Sequence, residues 1–217
     1  MLIYQYTESE EEIIRTYNLT DHAFWNEKAS ELAPLRLNLR LHYLTQQGYR
    51  CCYCKQLKQE EHGSTWDVEH IAPKALHPKF LFEPYNLCIS CKECNESKSN
   101  KPVFNNGYDY KKYPLKSENF TIIHPHFDVY SEHMAIRRSP DGKIMHIPKT
   151  EKGKRVFEHC DLVRFTMSFY NSDDLDQNLL INFSSLIDVI PNLTHDTAKA
   201  IFIASLPREL APEYLNF

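Results

Sequence analysis

Two Cys-x-x-Cys pairs and the stretch between them decide the fold of this chain. The sequence reads CCYC at 51–54, WDVEHIAPK at 66–74, PYNL at 84–87 and CKECNESK at 91–98. A Cys-x-x-Cys pair is typical of a knuckle, a tight turn that directs two thiolates at one tetrahedral ion. The spacing therefore predicts one structural Zn²⁺ site formed by Cys51, Cys54, Cys91 and Cys94. The alternative is a set of buried free cysteines.

The interval between the two pairs, residues 55–90, is longer than in a simple zinc finger or ribbon. The ion would therefore bracket an inserted structural unit. Within it, the apolar pattern over residues 66–71 favours a short strand that ends before Pro73. A second short strand is predicted near residues 86–89, and a helix from about Cys94. The sequence thus predicts two strands and a helix held together by zinc.

Three side chains of this unit suit the hydrolysis of a phosphodiester. His70 has the residue type whose pKa lies near neutrality, as a base that deprotonates water requires. Glu69 and Asn95 offer oxygen ligands to the hard cation that would offset the developing negative charge. Neighbouring residues of a flat strand point to opposite faces, so Glu69 and His70 share a site only if the strand ends in a bend, which Pro73 favours. Asn86 is better suited to tie the loop by hydrogen bonds.

The order Cys-x-x-Cys, Glu-His-Ile-x-Pro, Asn-Leu and Cys-x-x-Cys-Asn-x-x-Lys resembles the HNH endonucleases of the zinc-braced ββα-metal type. The resemblance implies that His70 is the general base and that Asn86 orients the loop of that base. Asn95 stands at the third signature position, where Asn is a common alternative to His. Glu69 would be a ligand of the catalytic Mg²⁺ or Mn²⁺, at a position where many members have Asp.

Two lysines are candidate nucleic-acid-binding residues. Lys98 falls one helical turn beyond Asn95, where its ammonium would meet a phosphate, and Lys74 follows the Glu-His-Ile-x-Pro motif. For both, the alternative is an ordinary solvated lysine. The predicted activity is endonucleolytic cleavage of nucleic acid, with DNA favoured although nothing in the motif separates DNA from RNA. The competing function is a non-catalytic, zinc-stabilised module that binds nucleic acid or a protein.

Composition and charge restrict the class of protein. The 217 residues include seven cysteines, an odd number, and the chain does not begin with the basic and apolar pattern of a secretory signal. No stretch approaches the length of a membrane span. These features predict a soluble, cytoplasmic protein without a disulfide framework or a membrane partner. The formal net charge of −4 is unusual for a chain that binds nucleic acid unaided.

A wider resemblance covers residues 33–165. The Glu-His-x-x-Pro-Lys form of the motif and a downstream His-Pro-x-Phe-Asp-x-x-x-x-His stretch are similar to a subgroup of small HNH proteins. Those proteins are the nuclease component of Septu-type and retron-associated anti-phage systems, beside an ATPase subunit. The resemblance implies an ATPase partner, which would supply the DNA capture that an acidic chain lacks. The alternative is that the lysines and arginines cluster on one face.

The downstream stretch contains His124, His126 and His133. A second metal site is one interpretation of these histidines. We favour the other, a turn packed on the core and shaped by Pro125 and Asp128.

The predicted fold class is α+β, with a ββα-metal core inside a mainly helical protein. Residues 1–48 form a helical region, residues 49–104 the nuclease core with its zinc knuckles, and residues 105–217 an extension of short strands followed by helices. The leucines of residues 33–47 fit either period, and we favour a helix there. Further strands are predicted over residues 120–123 and 143–147, and further helices over 8–12, 20–28, 175–190 and 194–206.

Overall fold

The computed structural model describes residues 1–28, 30–105, 110–139 and 142–170. Two compact units, Met1–Val129 and Tyr130–Phe217, make up the chain. Their helices and antiparallel strands confirm the α+β class. The division into three regions at residues 48 and 104 stays a prediction, and the helices predicted over 175–190 and 194–206 lie outside the described residues. Among those residues, none of the helices has the length and apolar character that a membrane span requires.

The first unit contains the residues of the cysteine pairs and of the stretch between them. Its elements are α1 (Glu8–Arg15), α2 (Phe24–Glu27), α3 (Ala33–Gln46), β1 (Trp66–His70), β2 (Leu87–Cys91) and α4 (Lys92–Lys98). The helix predicted over residues 33–47 is confirmed, and so are the two short strands. The helix predicted from about Cys94 begins slightly earlier, at Lys92.

Helix α3 supplies the apolar layer behind the strands. Pro34 lies in its first turn, where the missing amide hydrogen costs nothing, and Gly48, at a φ of 58°, follows its end. Leu35, Leu39 and Tyr43 recur at helical spacing and are buried. Burial of each such side chain stabilises the fold by about 1.5–3 kcal/mol. The helix packs against both β1 and β2 through this face.

A single glutamine fastens α3 to β2. The side chain of Gln47 accepts a hydrogen bond from the Ile89 amide at 2.8 Å and donates one to the Ile89 carbonyl at 2.8 Å. The side-chain amide therefore replaces the strand neighbour that β2 lacks on this edge. This contact fixes the position of the hairpin on the helix.

Strands β1 and β2 form an antiparallel hairpin in which Trp66 lies opposite Cys91 and His70 lies opposite Leu87. The two-residue period places Asp67 and Glu69 on one face, and contacts with α4 show that this face looks towards that helix. The chain bends at residues 71–72, directly after His70. The bend that the sequence required at the end of the first strand is present.

The strand predicted over residues 120–123 is wrong. Phe120 forms only an isolated bridge with Phe104, and the Thr121 amide donates to the Val103 carbonyl. The apolar side chains of Phe120, Ile122 and Ile123 are nevertheless buried. A short apolar run shows that a segment is buried, but an extended partner segment is needed to make it a strand, and none is present here among the described residues.

The second unit begins at Tyr130. Its described elements are α5 (Tyr130–His133), β3 (Met134–Arg138), β4 (Ile144–Pro148), α6 (Glu151–His159) and α7 (Val163–Tyr170). Strands β3 and β4 pair antiparallel, which confirms the strand predicted over residues 143–147. Gly153 in α6 approaches the His133 carbonyl so closely that a Cβ atom would lie 2.1 Å from its oxygen. Only glycine allows this contact between α6 and α5.

Candidate functional site

The four cysteines of the two pairs come together as a group. All four are buried, and their sulfur atoms lie within 4.8 Å of one another. The Sγ atoms of Cys54 and Cys91 are 3.8 Å apart. A tetrahedral zinc ion with Zn–S bonds of about 2.3 Å places its sulfur ligands about 3.8 Å apart, so the donor set fits Zn²⁺. Four thiolates leave no open position, which is characteristic of a structural zinc site.

Local backbone geometry presents both pairs to this point. In the first knuckle the Lys55 amide donates to the Cys51 carbonyl at 3.0 Å, and Lys55 adopts a φ of 57°. The Cys52 amide donates to the Ile89 carbonyl at 3.0 Å, which attaches the knuckle to β2. The second pair joins the last residue of β2 to the first turn of α4. The four-cysteine group therefore connects the knuckle, the hairpin and α4.

The other cysteines of the first unit are not part of this group. Cys52 and Cys88 are buried, and burial raises the pKa of both thiols. Both therefore remain protonated and act as small apolar side chains of the core. Cys160 belongs to the second unit.

His70 lies at the end of β1 with 5% of its surface exposed. Its Nε2 atom lies 3.0 Å from the Leu81 carbonyl oxygen, and its ring meets the Trp25 ring edge-on at 4.8 Å. Since a carbonyl only accepts, Nε2 carries the proton and Nδ1 carries the lone pair. Burial lowers the pKa of His70 to about 3, and the positive charge of Lys74 adds to this effect. The imidazole is therefore neutral at pH 7, the form that accepts a proton.

Asn86 holds the loop that follows His70. Its Oδ1 atom accepts from the Ala72 amide at 2.7 Å, and its Nδ2 atom donates to the carbonyls of Ala72 at 3.2 Å and Phe80 at 3.0 Å. The side chain is fully buried. These bonds agree with the loop-tying function that the residue type suggested, while a role in catalysis stays a prediction.

Glu69 forms a buried ion pair with Lys98. The Oε1 atom of Glu69 lies 2.7 Å from the Lys98 ammonium and accepts from the Tyr53 hydroxyl at 2.9 Å. The two charged side chains are only 4% and 1% exposed. Lys98 also donates to the His70 carbonyl at 3.1 Å, so this one ammonium contacts both residues of the Glu-His dipeptide. Loss of one partner from such a buried pair typically costs about 3–5 kcal/mol, which explains why Glu69 is held firmly.

Asn95 contacts a carboxylate that sequence reasoning missed. Its Nδ2 atom donates to Oδ2 of Asp67 at 2.7 Å, and the other oxygen of Asp67 pairs with the Lys92 ammonium. This orientation leaves Oδ1 of Asn95 without a hydrogen bond from the described residues. The available signal was the strand period, because Asp67 precedes Glu69 by two positions and so shares its face.

The predicted site residues thus do not form one connected set of contacts. Lys98 joins Glu69 to the backbone of His70, whereas Asn95 contacts Asp67 and not Glu69. Lys74 is half-buried after the bend, and burial lowers its pKa against the opposing effect of the Glu69 and Asp67 carboxylates. As nucleic-acid contacts, Lys98 and Lys74 stay predictions, and in this arrangement the ammonium of Lys98 is turned into the protein.

Comparison with known proteins gives one informative relative. The Septu protein PtuB of Bacillus thuringiensis is similar to this chain, with 31% identity over 96 residues. The similar region is 44% of this chain and 32% of that protein, so the chain spans about a third of the length of the relative it matches. No protein-family model matches the sequence. No solved structure matches it either. The similarity to PtuB supports a distant relationship to a Septu protein.

The histidines downstream of the hairpin take part in packing. The His124 ring stacks on Phe127 with ring centroids 4.1 Å apart, and its Nε2 atom lies 2.9 Å from the Tyr113 hydroxyl. The His124 amide donates to Asp128 at 2.7 Å, which closes the turn. Apart from the four cysteines, no group of three or more His, Cys, Asp and Glu side chains gathers in metal-binding range within the described part of the chain. These contacts favour the packed turn over a second metal site.

Proposed function

We propose that this chain is a metal-dependent HNH endonuclease that hydrolyses phosphodiester bonds of nucleic acid, with DNA as the favoured substrate. One observation carries the proposal. Glu69 and His70 end a strand, Asn95 contacts that strand from the following helix, and the four-cysteine group holds both elements. Two antiparallel strands followed by a helix, with these residue types in this order, match what the HNH resemblance implies.

Two oxygen ligands are proposed for the catalytic Mg²⁺ or Mn²⁺. Asn95 fits because its Nδ2 atom is taken by Asp67, which leaves the amide oxygen for a cation. Glu69 fits because its contacts with Lys98 and Tyr53 both use Oε1. A hard cation held there would stabilise negative charge on the phosphoryl and leaving oxygens. Asp67 then serves as the residue that orients Asn95.

His70 is the proposed base. With Nε2 donating to the Leu81 carbonyl, the lone pair on Nδ1 takes the proton of the attacking water. Asn86 maintains the loop between the bend and β2, so that the ring keeps this orientation. Deprotonated water attacks phosphorus and the leaving oxygen departs with a proton from solvent.

Replacing Asn95 with alanine is expected to raise the Mg²⁺ concentration for half-maximal nicking of supercoiled plasmid. We expect an increase of at least about tenfold, because even residues that only support a metal ligand typically contribute this much to metal affinity. Asn100→Ala is the matched control, since Asn100 is exposed just beyond α4. Zinc content should be unchanged in both variants. An Asn95→Ala protein with the same Mg²⁺ midpoint as the unmodified chain would contradict the ligand assignment.

The competing function, a non-catalytic zinc module, makes different predictions. It retains stoichiometric zinc but cleaves neither DNA nor RNA with Mg²⁺ or Mn²⁺. Parallel assays on plasmid DNA and on RNA therefore separate the two functions and identify the substrate. Cleavage of RNA alone would keep the proposed chemistry and change its target.

We further propose that the chain is the effector nuclease of an anti-phage defence complex with an ATPase partner. The similarity to the Septu protein PtuB supports this, as does the net charge of −4, which suits a nuclease that receives DNA from another subunit. Purification of the tagged chain from its native host tests the partner. Recovery of a stoichiometric ATPase is the expected result, and a chain that purifies alone and cleaves DNA at full rate would contradict it.

A further inference from the structure

Arg36 on α3 lies beside the strand end that holds His70. The Cζ atom of Arg36 sits 5.3 Å from the centroid of the Trp25 ring, and the same ring meets His70 at 4.8 Å. Trp25 is almost fully buried. A guanidinium over an indole face is held by cation–π attraction, so Trp25 holds Arg36 in place and also contacts the imidazole.

The positive charge of Arg36 is not neutralised by a neighbouring acid. In the described part of the chain, its guanidinium forms neither a hydrogen bond nor an ion pair, and the same holds for the Lys74 ammonium. By contrast, Lys98 pairs with Glu69 and Lys92 pairs with Asp67. A guanidinium presents five donors in a planar fork that matches the oxygens of a phosphate. Donors that have no protein acceptor remain available to the oxygens of an anion.

The positive charges of Arg36 and Lys74 both act on the His70 imidazole. Burial is the main cause of the lowered pKa of His70, and the positive charges of Lys74, Lys98 and Arg36 lower it further. Burial also lowers the pKa of Lys74, and the charge of Arg36 adds to this effect. Lys98 is compensated by its ion pair with Glu69. Arg36 and Lys74 are thus two cations near the proposed base that form no ion pair among the described residues, in a chain that is acidic overall. Of the two, Lys74 is affected by the Glu69 and Asp67 carboxylates.

We propose that Arg36, with Lys74 beside it, binds a backbone phosphate of the nucleic-acid strand at His70. This inference rests on the proposed nuclease function and adds a residue from outside the cysteine-bracketed unit. The planar guanidinium donates two hydrogen bonds to the non-bridging oxygens, while Trp25 keeps it in position.

The test measures DNA binding separately from cleavage. A short fluorescein-labelled DNA duplex is titrated with protein across a series of KCl concentrations, in a His70→Asn background that prevents cleavage. Arg36→Gln is expected to raise Kd about tenfold, the effect of a lost charge-assisted hydrogen bond. It is also expected to reduce the slope of log K against log salt by about 1, because one fewer phosphate is neutralised. A purely structural role would not change that slope in this way.

Two further variants complete the experiment. Arg40→Gln is the matched control, since Arg40 lies on the same helix but donates to the Glu61 carbonyl, and it should leave Kd and the slope unchanged. Arg36→Lys keeps the charge but loses the fork, so it should raise Kd several-fold with an unchanged slope. This second variant decides the question if the glutamine variant fails to fold, because an unchanged Kd in Arg36→Lys would overturn the proposal.

The outcome for Arg36 is distinguishable from the outcome for the nuclease function. If plasmid cleavage requires His70 but Arg36→Gln binds DNA with the original Kd and slope, the Arg36 proposal is overturned and the nuclease stands. If no DNA or RNA is cleaved but Arg36→Gln still reduces affinity and slope, the nuclease function fails and the phosphate contact stands. Absence of any DNA binding by the His70→Asn protein overturns the phosphate contact.

Discussion

Replacement of Cys91 by alanine is expected to abolish stoichiometric zinc binding and to unfold the hairpin and α4. Cys91 is the residue at which β2 passes into α4, and its sulfur is one of the four buried donors. Binding of structural zinc contributes about 10–16 kcal/mol in zinc-finger peptides. The total stability of a domain is only about 5–15 kcal/mol. Loss of one ligand therefore removes a contribution as large as the stability itself. Elemental analysis of zinc and thermal unfolding followed by circular dichroism measure the effect.

The matched control for this experiment is Cys88→Ala. Cys88 lies on the same strand and is equally buried, but its sulfur is outside the four-cysteine group. This variant should retain full zinc content and lose only the small stability that a buried sulfur contributes by packing. If Cys91→Ala keeps its zinc and unfolds at the same temperature as Cys88→Ala, the four cysteines are ordinary core residues and the zinc brace is absent.

The cysteine-bracketed unit was predictable because its determinants are local. Each Cys-x-x-Cys pair fixes its own turn, and the alternation from Trp66 to His70 fixes one strand. Pro73 and the bend at residues 71–72 end that strand where the sequence required. The helical interpretation of residues 33–47 was also correct, since Leu35, Leu39 and Tyr43 share one buried face.

The contacts of the candidate site could not be predicted from the sequence because they depend on how separate elements pack. Burial of Lys98 against Glu69 follows from the rotation of α4 over the hairpin, which spacing alone does not specify. The pairing of Asn95 with Asp67 has the same origin. Arg36 lies far from the motif along the chain and reaches His70 only through Trp25. Motif order therefore predicts which residues belong to the candidate site, and packing determines which of them touch.

The acidic net charge gains a physical interpretation from these contacts. Lys92 and Lys98, in the motif region, form ion pairs with carboxylates. Among the described residues of the candidate site, Arg36 and Lys74 are the cations that form no ion pair with a carboxylate. A small site of this kind suits the positioning of one phosphate better than the capture of a long duplex, in keeping with the proposed partner subunit.

His70 is the residue on which the proposed catalytic function depends most. A positioned general base typically contributes about 10²–10⁴-fold to the rate. His70→Ala is therefore expected to reduce plasmid nicking by at least about a hundredfold. His70→Asn is the more conservative variant, because it retains a donor for the Leu81 carbonyl and a side chain that packs against Trp25. His62→Ala is the matched control, because His62 is an exposed histidine ahead of β1.

The most direct test of the central claim is the initial rate of supercoiled plasmid nicking in Mg²⁺, compared between the unmodified chain and His70→Asn at equal zinc content. We expect nicking by the unmodified chain and by His62→Ala, and loss of nicking in His70→Asn. Equal rates in the unmodified chain and in His70→Asn would show that His70 is not the base and would contradict the proposed mechanism.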